Sequence, residues 1–310
     1  MKVLVTGGAG YVGAELVYKL SQDEKVDQVI VYDNLSRGNE NFFISSRNRM
    51  QKGKVKFILG DLLDSRKLKK AVNGVDVVYH LAAKVTTPFE NVESHVFEQV
   101  NNWGTSELVL AVEESESVKK LIYLSSASVF GSTPKSEPAS EDLEPNPRTF
   151  YGISKMRGEE HIKRLEGKIE TIIIRAANVY GYSPAIRFDN VINRFLFDSN
   201  FNNKIQIHGS GKQSRTFIHL SKLVAKLDFL KDNKVTNGAY NVGDVTCSVL
   251  DLVDIFKESY PELEFIFINQ HLQLRNLEIS HESKLNDYIS LPESDLKNDL
   301  LEMKENNFAF

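Results

Sequence analysis

Cysteine is nearly absent from this chain. Cys247 stands alone among 310 residues, which excludes an intrachain disulfide and any metal cluster built on cysteine. No apolar run approaches the ~20 residues that a membrane-crossing helix needs. Excess positive charge is missing too: 38 Lys and Arg against 42 Asp and Glu leave a net charge of -4, so bulk electrostatics offer a nucleic acid nothing. There is no internal repeat and no low-complexity tract. The chain enters a strand directly after Met1-Lys2, leaving no room for a signal peptide. The expectation is a soluble, cytoplasmic protein with neither a membrane nor a nucleic-acid partner.

What is present is alternation. Short apolar runs at Val3–Val5, Val29–Tyr32, Val55–Leu59, Val75–Tyr79, Lys120–Leu124 and Thr171–Ile174 read as strands. Helical patterns lie between them, near Tyr11–Leu20, Ser65–Val72, Glu93–Ser115 and Phe150–Leu165. Continuous apolar strands alternating with helices predict a parallel sheet covered on both faces. After about Arg175 the rhythm loosens into helices near Asp189–Asp198, Leu220–Leu230 and Val249–Ser259, separated by loops and short strands. Pro134, Pro138, Pro145 and Pro147 mark Ser132–Pro147 as a long loop. The length exceeds the ~100–200 residues of a usual domain.

The first apolar run is followed by Thr6-Gly7-Gly8-Ala9-Gly10-Tyr11-Val12-Gly13. Glycines at this spacing permit a tight turn and close backbone approach to a pyrophosphate, which rests at the positive N-terminus of the next helix. Gly13 would let that helix pack closely on the sheet. Asp33, at the end of the second strand, is placed for the adenosine ribose hydroxyls. A carboxylate there repels a 2'-phosphate and favours NAD over NADP, with Arg37 as the nearby residue able to accept such a phosphate. The bland alternative is a structural turn with Asp33 as a cap. Asp61 can reach an adenine amino group and Leu62 can line its pocket. In His80-Leu81-Ala82-Ala83-Lys84, small residues let the backbone pass beside a cofactor. His80 reads as a packing histidine. Lys84 fits a solvated surface lysine or a contact to cofactor or substrate.

Tyr151 and Lys155 are one helical turn apart on the same face. A nearby cation favours phenolate, so Lys155 is expected to lower the Tyr151 pKa and make a usable base. Ser125 and Ser126 end the fifth strand, facing the crevice where ligands bind in such sheets. A serine there can hold a substrate oxygen toward the tyrosine. Taken together, these residues point to nicotinamide redox chemistry on a hydroxyl-bearing carbon.

At this point the chain resembles the extended short-chain dehydrogenases/reductases, in their sugar-nucleotide epimerase/dehydratase branch. The resemblance runs from Val3 to about Arg275. Its blocks are the glycine loop, Asp33-Asn34-Leu35-Ser36, Gly60-Asp61, His80-Leu81-Ala82-Ala83 and Asn101-x-x-Gly104-Thr105. They continue in Ser125–Gly131, Tyr151-x-x-x-Lys155, Arg175–Gly181 and Arg215–His219. The resemblance implies a Rossmann-type doubly wound α/β domain over 1–176, rejoined by about 215–243, and a smaller sugar-nucleotide domain over 177–310. It implies Ser126, Tyr151 and Lys155 as catalytic residues. NAD would be held by Gly7, Gly10, Tyr11, Val12, Gly13, Asp33, Asn34, Asp61, Leu62, Leu81, Ala82, Ala83 and Asn101, with Tyr151 and Lys155. A nucleotide-diphosphate sugar would meet Lys84, Ser126, Asn178, Arg187, Asn190, Arg215 and Arg275, the last two as a diphosphate clamp suited to arginine's fork. No metal is implied. A homodimer is, built from the helices near Glu93–Ser115 and Phe150–Leu165.

Within the branch, 4,6-dehydratases usually carry Thr-Asp-Glu where this chain has Ser126-Ala127-Ser128. Without those acids the expected chemistry is removal and return of a hydride at one carbon, as in a nucleotide-sugar 4-epimerase. A 4-ketoreductase, another enzyme of the branch, and a non-catalytic NAD-bound scaffold or redox sensor are the alternatives. The chain departs from the family at Arg215–Lys222, where two usual acids are missing, and at Phe130, where tyrosine is common. Arg187 fits a carboxylated sugar such as a uronate, a diphosphate, or a surface role.

Overall fold

The computed structural model describes residues 1–38, 40–44, 53–85, 94–134 and 137–307. In chain order its elements are β1 (Lys2–Thr6), α1 (Tyr11–Gln22), β2 (Gln28–Asp33), α2 (Asn41–Ile44), β3 (Val55–Leu59), α3 (Ser65–Val72), β4 (Val77–His80), α4 (Ser94–Phe97), α5 (Gly104–Glu113), β5 (Lys120–Ser126) and α6 (Phe150–Lys163). There follow β6 (Glu170–Ala176), β7 (Asn178–Tyr180), α7 (Val191–Phe201), β8 (Lys204–His208), β9 (Ser214–His219), α8 (Leu220–Asp232), β10 (Gly238–Val242), β11 (Val245–Ser248), α9 (Val249–Ser259), β12 (Glu264–Ile268) and α10 (Leu296–Asn307). Glu93, and residues 135 and 136 of the expected long loop, lie outside the described residues.

Seven strands form one sheet in the order β10-β6-β5-β4-β1-β2-β3, parallel throughout. Order reverses between β1 and β4, which makes this a doubly wound Rossmann sheet whose ligand crevice lies at the carboxyl ends of those strands. The apolar runs are strands because both faces are covered. Val3, Val5, Leu16 and Leu223 share one core, which seats α1 and α8 on one face. Leu4, Leu68, Leu108 and Ile162 share another, which seats α3, α5 and α6 on the other face. A third core, holding Phe195, Phe217, Leu252 and Phe256, fills the smaller lobe. Its strands make a three-stranded sheet, β11-β9-β7, and a parallel pair, β12-β8. So β10 and α8 lie with the large sheet, whereas β9, inside the stretch expected to rejoin it, belongs to the small one.

Two local departures from a plain helix bear on the site. Between α4 and α5 the chain makes a π-helical turn, Glu98–Trp103. There the Asn101 side chain turns to both the N–H and the carbonyl of Lys84, at 2.8 and 2.9 Å, and Thr105 donates to the Asn101 carbonyl. Such extra-residue turns often mark functional positions. α6 starts on a cap, Thr149 accepting from the Gly152 N–H at 3.0 Å, which fixes where Tyr151 enters the helix.

Candidate active site

The glycine loop is a cradle that side chains would fill. Gly7 has φ +71°, and a Cβ there would lie 2.5 Å from the Ala82 nitrogen; at Gly13 it would lie 2.2 Å from the Gly7 carbonyl oxygen. Gly10 sits at the head of α1 with no side-chain cap, so the first N–H groups of that helix face the crevice mouth as anion donors. Asp33 is tied to the loop, accepting from the Ala9 N–H at 3.0 Å and the Leu35 N–H at 2.8 Å. Burial raises its pKa above the ordinary carboxylate value, and the two N–H donors oppose that rise. A backbone cradle, an uncapped helix head and a carboxylate at the second strand fit a dinucleotide without a 2'-phosphate. Arg37 reaches across to Asp189 at 3.7 Å.

Other expected cofactor residues divide. Leu81, Ala82 and Ala83 line the end of β4, half-buried, and Val12 is half-buried behind the loop. Tyr11 serves the fold with its side chain: the hydroxyl donates to the Gly181 carbonyl at 2.7 Å and accepts from Asn193 at 3.2 Å. Asn34 is exposed and donates to Asp61 at 2.9 Å. Leu62 is core rather than pocket, buried where a Cβ on Gly104 would strike it at 2.9 Å. His80 is a packing histidine. It bridges Thr6 and Thr105 at 2.7 and 2.8 Å, and burial, aided by the Lys155 charge, lowers its pKa to about 3.

Ser126 and Tyr151 come together at the ends of β5 and α6, where the serine hydroxyl favours the phenolate form of the tyrosine. Ser126 also accepts from the Ser128 N–H at 3.1 Å, which starts a single 3-10 turn over Ala127–Phe130. Lys155 is one turn deeper. The expectation that it lowers the Tyr151 pKa is corrected: burial raises that phenol above its usual value, outweighing the opposing influence of the Ser126 hydroxyl and the Arg187 charge. The Lys155 ammonium instead lies over the Tyr123 ring, 4.1 Å from its centre, and burial lowers its pKa to about 7. Asn101 joins this group by donating to Ser154, which donates to the Tyr151 carbonyl. The Lys84 side chain is exposed, and among the described residues only its backbone is engaged.

On the sugar side, Arg187 is forked onto Asp189, both bonds 2.8 Å, and its charge reaches Tyr11 and Tyr151. The surface role left open for it is excluded. Asn190 is the cap of α7: it accepts from the Asn193 N–H and donates to the Val179 carbonyl, each at 2.8 Å. Its amide thus has a structural role beside the expected sugar contact. Asn178 is exposed and donates to the Thr216 carbonyl at 3.0 Å. Arg215 donates to the carbonyls of Ser214 and Arg275, which brings the two expected clamp residues together. Burial lowers the Arg215 pKa to about 10, against the nearby Glu278 carboxylate.

Four participants escape the sequence reading. Asp189, two residues after Arg187, had its carboxylate overlooked, and Glu278 is recruited from a distant loop and leaves no local signal. Tyr123 is hidden in an apolar strand. Glu159 continues the Tyr151 and Lys155 spacing by one more turn, and that signal was available.

Residues 3–243 match the model of the NAD dependent epimerase/dehydratase family. The chain belongs to this family. A human dTDP-D-glucose 4,6-dehydratase is 33% identical over 277 residues, covering 85% of this chain and 76% of the relative. A putative UDP-glucose 4-epimerase of Methanocaldococcus jannaschii is 34% identical over 263 residues, covering 82% and 81%. Among solved structures, a UDP-glucuronic acid 4-epimerase from Bacillus cereus aligns with TM-score 0.82 at 25% identity, covering 97% of this chain and 96% of that one. The dTDP-glucose 4,6-dehydratase of Streptomyces venezuelae aligns with TM-score 0.84 at 21% identity, covering 99% and 98%. The fold is therefore the short-chain dehydrogenase/reductase one, and the family's cofactor is NAD. Both epimerases and dehydratases stand among the relatives. Among the described residues, no helix is long and apolar enough to cross a membrane.

Proposed function

We propose that this family member is a nucleotide-sugar 4-epimerase. The observation that carries the reading is the strand end after Ser126. Ala127 is buried and Ser128 turns its hydroxyl back to Ser126 at 3.2 Å, so neither supplies the carboxyl group that eliminating water requires. What remains beside Tyr151 suits one reversible oxidation.

NAD, held by the glycine loop, Asp33 and Lys155, supplies a hydride acceptor that returns what it takes. Tyr151 removes the proton from the sugar C4 hydroxyl and later gives it back. Ser126 hydrogen-bonds that same oxygen and orients it, and with the Arg187 charge it favours the phenolate. Arg215 and Arg275 anchor the diphosphate while the sugar turns over to present its opposite face. Arg187, beside Tyr151, suits a sugar carrying a carboxylate, as the glucuronic acid of the Bacillus cereus enzyme does. The homodimer belongs to the same reading: Trp103 is 57% exposed, and Leu110 and Phe150 lie open on the helices expected to pair. So does the assignment of sugar binding to the smaller lobe after residue 176.

The test is incubation of purified protein with UDP-, GDP-, dTDP- and CDP-sugars, UDP-glucuronic acid included, without added cofactor, followed by NMR of the sugar protons. A C4 epimer is expected at catalytic protein amounts. Tyr151→Phe should lower turnover by about 10³-fold or more while NAD content stays unchanged. A requirement for added NADH, with net reduction of a 4-keto sugar, would move the assignment to a reductase.

A further inference from the structure

Beneath the site lies a buried charge layer that the reaction as written does not use. Lys155, Glu159 and Arg175 are only 1%, 2% and 3% exposed. Glu159 follows Lys155 by one turn of α6 and faces the same way. Its carboxylate accepts from Arg175 Nη2 at 2.8 Å and Nε at 3.1 Å, and from the Ser125 hydroxyl at 2.5 Å. Ser125 directly precedes Ser126. Arg175 is held from its other side, its guanidinium carbon 5.0 Å from the Phe130 ring centre.

A buried cation without a counter-charge sheds its proton. The groups that face Lys155 sort by element. From β5 comes the Tyr123 ring, an electrostatic partner with no full charge, seated against Gly158 so closely that a Cβ there would lie 2.2 Å from its hydroxyl. From β4 comes neutral His80, whose ring feels the lysine charge. Arg175, from β6, stands beyond Glu159 and is paired with its carboxylate. That leaves Glu159 as the charge that opposes desolvation of the lysine.

We propose that Glu159 is a positioning residue that favours the charged form of Lys155 inside the buried site, and that through Ser125 it fixes this carboxylate to the strand end bearing Ser126. Its significance for turnover rests on the reading of Tyr151 and Lys155 given above. The alternative is that Glu159 only neutralises Arg175.

The two are separated by titrating Lys155 in the full-length protein, with and without NAD, through its ε-carbon NMR resonance, identified by its disappearance in Lys155→Met. Glu159→Gln should lower the titration midpoint by about one unit or more, and Ser125→Ala should leave it in place. Because Glu159→Gln strands the Arg175 charge, Glu159→Gln/Arg175→Gln is the decisive variant. A lowered midpoint in the double variant supports direct action on Lys155. A midpoint equal to that of the parent overturns the proposal. In active enzyme, loss of the lysine charge at high pH should move the alkaline limb of kcat downward in parallel. For a one-unit shift the pH 8 to pH 6 rate ratio should fall about fivefold. If the parent protein turns over no sugar, the epimerase reading fails while the NMR titration still decides the role of Glu159.

Discussion

The two sides of the crevice are built by different means. On the cofactor side, backbone does most of the work: Gly7 and Gly13 leave room that a single Cβ would close, and the head of α1 offers uncapped N–H groups. On the sugar side, side chains gathered from distant loops do it. Arg187 leans on Asp189, Arg37 crosses from the β2 loop to the same carboxylate, and Arg215 is fastened to the carbonyl of Arg275. A backbone cradle tolerates almost no change and gives one ligand shape. A set of loop side chains can be exchanged one at a time, which is how one scaffold serves several sugars.

The sharpest way to break this comparison is Gly13→Ala. The new methyl would meet backbone atoms at 2.2 Å and 2.7 Å, neither of which can yield as a flexible side chain would. A stability loss of about 2–4 kcal/mol is expected, with NAD affinity down by about 100-fold or more. Calorimetry and cofactor content after gel filtration check both. Normal loading would show that the loop adjusts and that the cradle is not steric. His80, also on the cofactor side, makes the next largest effect a matter of pH. Its folded pKa near 3 lies below the ordinary 6.5. The unfolded chain therefore takes up a proton that the folded chain refuses. This stability is complete above pH 6.5 and is lost as the pH falls toward 3, at about 1.4 kcal/mol per unit. Urea midpoints from pH 7 to pH 5 should fall more steeply for the parent than for His80→Asn, and parallel lines would remove His80 from the account.

Legibility followed the same divide. The parallel sheet, the glycine loop, Asp33 and the meeting of Ser126 with Tyr151 were readable because each is set by local spacing: an apolar run, a turn, one helical repeat. The capping role of Asn190 was not legible because a cap and a ligand contact use the same amide, and only the position of α7 reveals the cap. Leu62 was misread because an apolar residue after a strand fits a pocket or a core equally well. The Tyr151 pKa was misread for a deeper reason. Helical spacing gave the cation its place, but the sign of the shift follows from burial, which belongs to the packed whole. Glu278 comes to Arg215 from a loop whose course the pattern does not encode.

Two substitutions sharpen the sugar side. If Arg215 holds the diphosphate as proposed, Arg215→Gln should raise KM by about ten- to hundredfold, with kcat within a few fold. If Arg215 merely ties β9 to the segment at Arg275, Tm falls and KM stays.

The smallest effect is the most discriminating. Asn190 accepts from the Asn193 N–H and so satisfies one of the donors left open at the head of α7, while its own amide holds the Val179 carbonyl at the end of β7. Asn190→Ala should therefore cost about 1 kcal/mol of stability and leave KM unchanged, whereas Asn190→Asp, which keeps the cap oxygen, should recover most of the loss. Should KM rise in both variants with no change in unfolding midpoint, Asn190 touches the sugar after all. The sugar side would then reach one loop further into the small lobe than its hydrogen bonds indicate.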